Sequence, residues 1–237
     1  MPAKNSRKIY SENSYYHVYN RGVEKRIIFQ DEQDYAVFLS YLKTYLLPKN
    51  EKELIDKLAN PNTGNKERGN ILSLLRLNNF ASEITLLAYC LMPNHFHLLL
   101  KQKSNIAMDK FLNSLGTRYT MYFNRRHKRV GRLYQNVYKA VLVNSDEQLL
   151  HLTRYIHRNP QPSLASKASK GQAFQDLLSQ QPSSYPEYLR KRETEWVDTN
   201  TVLGYFAKNS PIFTYQSFVE QNNNEDISND INIDINF

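Results

Sequence analysis

With 237 residues, 31 Lys and Arg against 23 Asp and Glu, and a formal net charge of +8, the chain can bury one sizeable core with appendages but is too short for two full catalytic domains. Its single cysteine, Cys90, excludes a disulfide framework and a cysteine-based zinc site, and makes a reducing compartment the expectation. No apolar run reaches membrane-spanning length and the stretch 1–13 is polar, so a cytoplasmic protein is expected, with a pI near 9.4 that favours a polyanionic partner.

Tyr15-Tyr16-His17-Val18-Tyr19-Asn20 is aromatic and β-branched and runs into Arg21-Gly22, which predicts a first strand closed by a turn. Asp31 then stands at a helix cap. Tyr35, Phe38, Leu39, Leu42, Tyr45 and Leu46 recur at helical spacing up to Pro48, giving a helix with one apolar face for a sheet. Residues 49–81 are rich in Asn, Lys and Glu and include Pro61-Asn62-Thr63-Gly64-Asn65; an insertion with short helices, outside the core, is expected there. Two apolar runs, 84–92 and 95–101, flank the turn signal Pro93-Asn94 and predict a hairpin. Side chains alternate along a strand, so His95 and His97 project from one face and Phe96, Leu98 and Leu100 from the other.

Ser104 or Asn105 is the expected cap of a second long helix, on which Met108, Phe111, Leu112, Leu115, Tyr119 and Tyr122 share a face. Gly131 ends that pattern, and 138–143 reads as a fourth strand. The order β-α-β-β-α-β predicts an α+β fold: a ferredoxin-like antiparallel sheet with two helices on one face and the other face available. Ser145-Asp146-Glu147-Gln148 is a capping box that opens a further helix, ending at Asn159-Pro160. Leu149, Leu152 and Ile156 form its buried stripe; His151, Tyr155 and Asn159, four apart, form a neighbouring one, while His151 and His157 are expected at the surface. The resulting organisation is a domain over 14–162, a helical extension over 163–220, and disordered ends at 1–13 and 221–237.

The charge is unevenly spread. Between Lys101 and Lys139 there are ten Lys or Arg and one acid, Asp109, whereas nothing after Lys208 is basic. Arg118, Arg125, Arg126, Lys128, Arg129 and Arg132 are therefore expected to meet phosphates, and the seventeen tyrosines suit stacking on unpaired bases. The plain alternative is a solvated basic face over an aromatic core.

Two imidazoles held side by side by a sheet suit a divalent metal, although a bare His-x-His pair more often comprises a loop cap and a satisfied histidine. The last helix shifts that balance. An amide oxygen from Asn159 supplies a third ligand, leaving positions open to phosphate oxygens, and Tyr155, one helical turn earlier, brings a nucleophile beside them. A phenol with a reference pKa of about 10 needs help to lose its proton, and its attack on a phosphodiester gives a phosphotyrosine. Tyr119, Tyr122, Tyr134 and Tyr138 also lie in the basic half; core packing or base stacking is their ordinary reading.

Four stretches, Tyr16-His17-Val18-Tyr19-Asn20-Arg21-Gly22, Met92-Pro93-Asn94-His95-Phe96-His97-Leu98-Leu99, Gly131-Arg132-Leu133-Tyr134-Gln135 and Tyr155-Ile156-His157-Arg158-Asn159-Pro160, together resemble the single-tyrosine HUH transposases, particularly the REP-associated tyrosine transposases. The resemblance spans about residues 15–162 and implies a sheet of the HUH nuclease type with an additional C-terminal catalytic helix. It further implies a Mg²⁺ or Mn²⁺ ion held by His95, His97 and Asn159, Tyr155 as the nucleophile that keeps the 5′-phosphate and releases a 3′-hydroxyl, single-stranded or hairpin DNA as partner, and a nucleoid-associated monomer or homodimer. The insertion at 49–81 departs from compact members. Two other readings stand beside it: a non-catalytic nucleic-acid binder derived from a transposase, and a metal hydrolase of small phosphate esters.

Overall fold

The computed structural model describes residues 10–159, 182–206 and 214–220. The expectations for 1–9, for the linker beyond Asn159 and for the tail from 221 lie outside the described residues. Four strands, β1 (Tyr15–Arg21), β2 (Ile84–Met92), β3 (His95–Gln102) and β4 (Lys139–Val143), form one sheet in the order β2-β3-β1-β4, every neighbouring pair antiparallel. This is the expected ferredoxin-like topology. Among the described residues no helix is long and apolar enough to cross a membrane.

Strand phase decides which side chains share a face. On β3, Phe96, Leu98 and Leu100 pack into a core with α1 (Glu32–Leu46) and α4 (Ala107–Arg126), while His95 and His97 point to the opposite side. On β2 an irregularity between Leu86 and Ala88 admits one extra residue and reverses the alternation. Ile84 and Leu86 belong to the helix-side core before it, Tyr89 and Leu91 after it, so Cys90 and Met92 arrive opposite His97 and His95 in register. Asp31 caps α1 as expected, its carboxylate accepting from the Asp34 amide; α4 instead starts after Ile106 without a side-chain cap.

The second face is not wholly open. It carries its own apolar cluster, formed by Leu87, Cys90, Leu99 and Val143 with α5 (Asp146–Arg158) and three short helices, α6 (Tyr185–Tyr188), α7 (Asn200–Phe206) and α8 (Tyr215–Glu220). The sequence expectation of an available face is corrected in part: α5 and the C-terminal helices cover it over Leu87, Cys90, Leu99 and Val143, while His95 and Val141 stay half-buried and Lys139 exposed. The insertion folds as α2 (Glu51–Ala59) and α3 (Asn65–Arg76), and it is not wholly outside the core, because Ile71 is buried and Phe80 packs at an angle against Tyr45 and Phe111. The end of the N-terminal stretch also packs, with Tyr10 buried edge-on against Tyr16 and its hydroxyl 2.8 Å from that of Tyr138.

The hairpin tip beside the histidines is gripped by the loop after β1. Gly22 donates to the Asn94 carbonyl at 2.9 Å, and the amides of Ile28 and Phe29 converge on the Pro93 carbonyl at 2.7 and 3.0 Å. A β-carbon at Gly22 would stand 2.3 Å from the Arg26 carbonyl oxygen, so this grip requires glycine.

Candidate active site

His97 is buried on β3 and His95, at the strand's start, is half-buried; their ring centroids are 5.0 Å apart with planes nearly perpendicular. The Asn94 side-chain oxygen accepts from His95 Nδ1 at 2.6 Å, which leaves the lone pair on Nε2. Nδ1 of His97 lies 2.8 Å from Nε2 of His17, a buried residue of β1, so the His97 nitrogen left for any ligand is again Nε2. Burial keeps all of these rings neutral. His95 is pulled down to about 4 by burial and by the charge of Arg21, its cross-strand partner; burial holds His17 down to about 3 and His97 well below the ordinary value.

Helix α5 completes the group. Ser145 caps it by accepting from the Gln148 amide at 3.1 Å, and Gln148 reaches back to the Asn144 amide at 2.7 Å. The buried stripe Leu149, Leu152, Ile156 docks on the sheet and turns Tyr155 toward the histidines, its ring edge-on to His97 at 5.6 Å and to His17 at 6.2 Å. Asn159, at the helix C-cap, hydrogen-bonds with its side chain to both His95 and Tyr155. Burial raises the Tyr155 phenol above its ordinary range, and the Asn159 contact opposes this in part. His95, His97, Tyr155 and Asn159, expected together from the sequence, are thus together. His151 is not part of the group; it packs against Phe218 on α8 at 5.7 Å.

Among the described residues no group of three or more His, Cys, Asp or Glu side chains is placed to hold a metal ion. A metal here would rest on two imidazoles and an amide. The donor chemistry fits such an ion: both imidazoles are neutral, each has Nδ1 engaged within the protein so that Nε2 is the nitrogen for a ligand, and the Asn159 amide, hydrogen-bonded to His95, stands beside it.

Two residues outside the expected set carry structural weight. His157, expected at the surface, is fully buried, its Nδ1 2.6 Å from the Tyr215 hydroxyl and its Nε2 2.8 Å from Ser184 Oγ. It pins α5 to α8 and to the start of α6. Its signal was its phase, four residues after Thr153 and eight after Leu149, both buried. His17 sits among the stretches quoted above, but only the pairing of β1 with β3 reveals its partner.

The basic residues of the second long helix lie on the other side of the sheet from the histidines, and several are engaged within the protein. Arg126 makes a two-pronged contact with Asp31 at 2.7 Å and reaches the buried Asp34 at 2.6 Å; Arg118 stacks on Tyr41 at 3.9 Å; Arg129 donates to the Asn124 side chain at 2.8 Å. Arg125, Lys128 and Arg132 are exposed.

The buried imidazoles make stability acid-sensitive. His17 and His157 are held near 3 by burial, whereas an unfolded chain titrates them near 6.5 (roughly). Between those limits the unfolded state binds more protons, so stability present above about pH 6.5 falls as pH drops through the window, by about 2 kcal/mol per histidine at pH 5. Urea midpoints are expected to fall between pH 7 and pH 5, before carboxylates titrate, and the fall should be smaller in His157→Gln. Equal midpoints at the two pH values would contradict the burial of neutral rings.

Comparison with known proteins follows the geometry. Residues 36–159, just over half of the chain, match the family of IS200-like transposases. A solved REP-associated tyrosine transposase bound to a REP hairpin aligns with 9% identity and a TM-score of 0.40 over 82% of this chain and 96% of that one. No curated protein sequence matches. With a match running from the first helix, through the His-bearing hairpin, to Asn159, the chain belongs to the IS200-like transposase family.

Proposed function

We propose that the protein is a metal-dependent transposase-type enzyme that nicks and rejoins single-stranded DNA at hairpin-bearing ends through a covalent 5′-phosphotyrosine. The observation that supports this most directly is the convergence of a tyrosine on a helix, two neutral imidazoles on a strand and one amide that contacts both. His95, His97 and Asn159 would hold a Mg²⁺ or Mn²⁺ ion, which when bound supplies Lewis-acid charge against the phosphate oxygens.

The remaining work falls to the chain. Sheet and helix hold Tyr155 edge-on to His97, so a phosphate bound beside the histidines would meet the phenol as well. The phenolic oxygen forms a bond to phosphorus as the bond to the 3′ oxygen breaks; the phenol's proton passes to solvent and the departing oxygen takes one up as the 3′-hydroxyl. The reverse attack by a 3′-hydroxyl rejoins a strand and frees Tyr155. Arg125, Lys128 and Arg132 are exposed and suited to phosphates of a hairpin stem that extends beyond the site to the helix side of the sheet, with Arg118, Arg126 and Arg129 contributing charge while bracing α4.

The deciding experiment is incubation with a radiolabelled single-stranded hairpin oligonucleotide and Mn²⁺, followed by denaturing electrophoresis. A DNA-linked protein band that needs the ion is expected. Salt-sensitive binding without any adduct or cleavage would instead identify a non-catalytic DNA binder.

A further inference from the structure

The His17–His97 pair is a buried polar contact in the sheet face beneath Tyr155 for which packing offers no need. His17 lies on a central strand, between Leu99 on β3 and Val141 on β4, with about 1% of its surface exposed. Its Nε2 is 2.8 Å from His97 Nδ1, and the two rings are stacked at 5.0 Å with planes 15° apart. Its Nδ1 is buried without a hydrogen-bond partner. An apolar side chain would fill this position without leaving a buried polar atom unsatisfied.

Two neutral imidazoles sharing one hydrogen bond have two arrangements. If His17 donates through Nε2, His97 accepts at Nδ1, carries its proton on Nε2, and has no lone pair left for a ligand. If His97 donates through Nδ1, His17 accepts, and His97 Nε2 is left with its lone pair. Only the second arrangement leaves both His95 and His97 with unprotonated Nε2, since Asn94 already fixes His95 that way.

We propose that His17 is a positioning residue whose Nε2 accepts the Nδ1 proton of His97, fixing that ring's tautomer and orientation as a metal ligand beside Tyr155. This inference rests on the metal-ligand reading of His97 given above. The same ring stands edge-on to Tyr155, so its orientation governs the ligand and the packing of the nucleophile together. The role differs from that of Asn94, which steadies His95 from the neighbouring residue: His17 acts across strands and from the core, where the ring has no room to turn.

The test uses the full chain and Mn²⁺ alone, with free ion followed by electron paramagnetic resonance, beside ¹⁵N-histidine NMR of the metal-free protein. NMR is expected to show His97 protonated at Nδ1. His17→Leu is expected to weaken Mn²⁺ binding about 10- to 100-fold, and His17→Gln, whose side-chain oxygen can accept the same proton, to restore most of it. Circular dichroism of both variants checks the fold. If the wild-type chain binds no Mn²⁺, the metal reading itself fails. If it binds, but the Leu variant binds equally well or His97 is protonated at Nε2, the positioning role of His17 is overturned. Since the NMR result comes from the unaltered protein, it decides the matter even where a variant does not fold.

Discussion

Tyr155→Phe is expected to lower covalent adduct and cleavage by at least about 10³-fold while leaving the fold and DNA affinity nearly unchanged. The change removes one oxygen and keeps the ring that lies edge-on to His97 and His17. What is lost structurally is a hydrogen bond to Asn159, worth about 1 kcal/mol. Other tyrosines of the basic half supply controls with distinct signatures. Tyr119→Phe gives up a buried 2.6 Å bond to the Ile28 carbonyl, and Tyr122→Phe a 3.0 Å bond to Asp34, so both should lose stability and keep the adduct. Tyr134→Phe removes a buried hydroxyl with no partner and should be neutral or slightly stabilising. Tyr138→Phe breaks its contacts with Asp109 and Tyr10, again without touching the adduct. Asn159→Ala should fall between these cases, since it releases His95 and Tyr155 together. Peptide mass spectrometry that maps DNA to another residue in the Tyr155→Phe protein would overturn the nucleophile assignment.

The parts of this site that sequence exposes are those fixed by local periodicity. Alternation on β3 places His95 and His97 on one face, and a spacing of four on α5 places Tyr155 and Asn159 on one stripe; both hold in the structure. Strand order follows from element order. What periodicity cannot give is contact between elements distant in sequence. His17 meets His97 across eighty residues, and nothing in β1 alone distinguishes its ring from any buried aromatic. His157, expected at the surface, shares its phase with the buried Thr153, and the partners that satisfy it come from beyond residue 182. The basic run misleads in a similar way: charge density marks α4, but only the folded chain reveals that Arg126 and Arg118 brace α1 through Asp31, Asp34 and Tyr41.

Replacing both His95 and His97 by Ala is expected to abolish ion-dependent adduct formation and to reduce Mn²⁺ binding to background, with most of the salt-sensitive DNA affinity retained. Affinity is expected to survive because counterion release by Lys and Arg at phosphates sets the salt slope of such binding, and neutral imidazoles add nothing to it. The two single variants separate ligand loss from structural loss. His95→Ala removes a half-buried ring whose partners are the adjacent Asn94 and Asn159, so it should cost little stability and nearly all activity. His97→Ala opens a cavity beneath Tyr155 and strands His17 Nε2 in the core, at roughly 1–3 kcal/mol for the unpaired group alone. Equal loss of activity with unequal loss of stability is therefore the pattern that marks both as ligands, whereas loss that tracks stability would make His97 a core residue only. Undiminished adduct formation by the wild-type protein in excess chelator would remove the metal from the mechanism, and with it the reason for two neutral imidazoles to face one tyrosine.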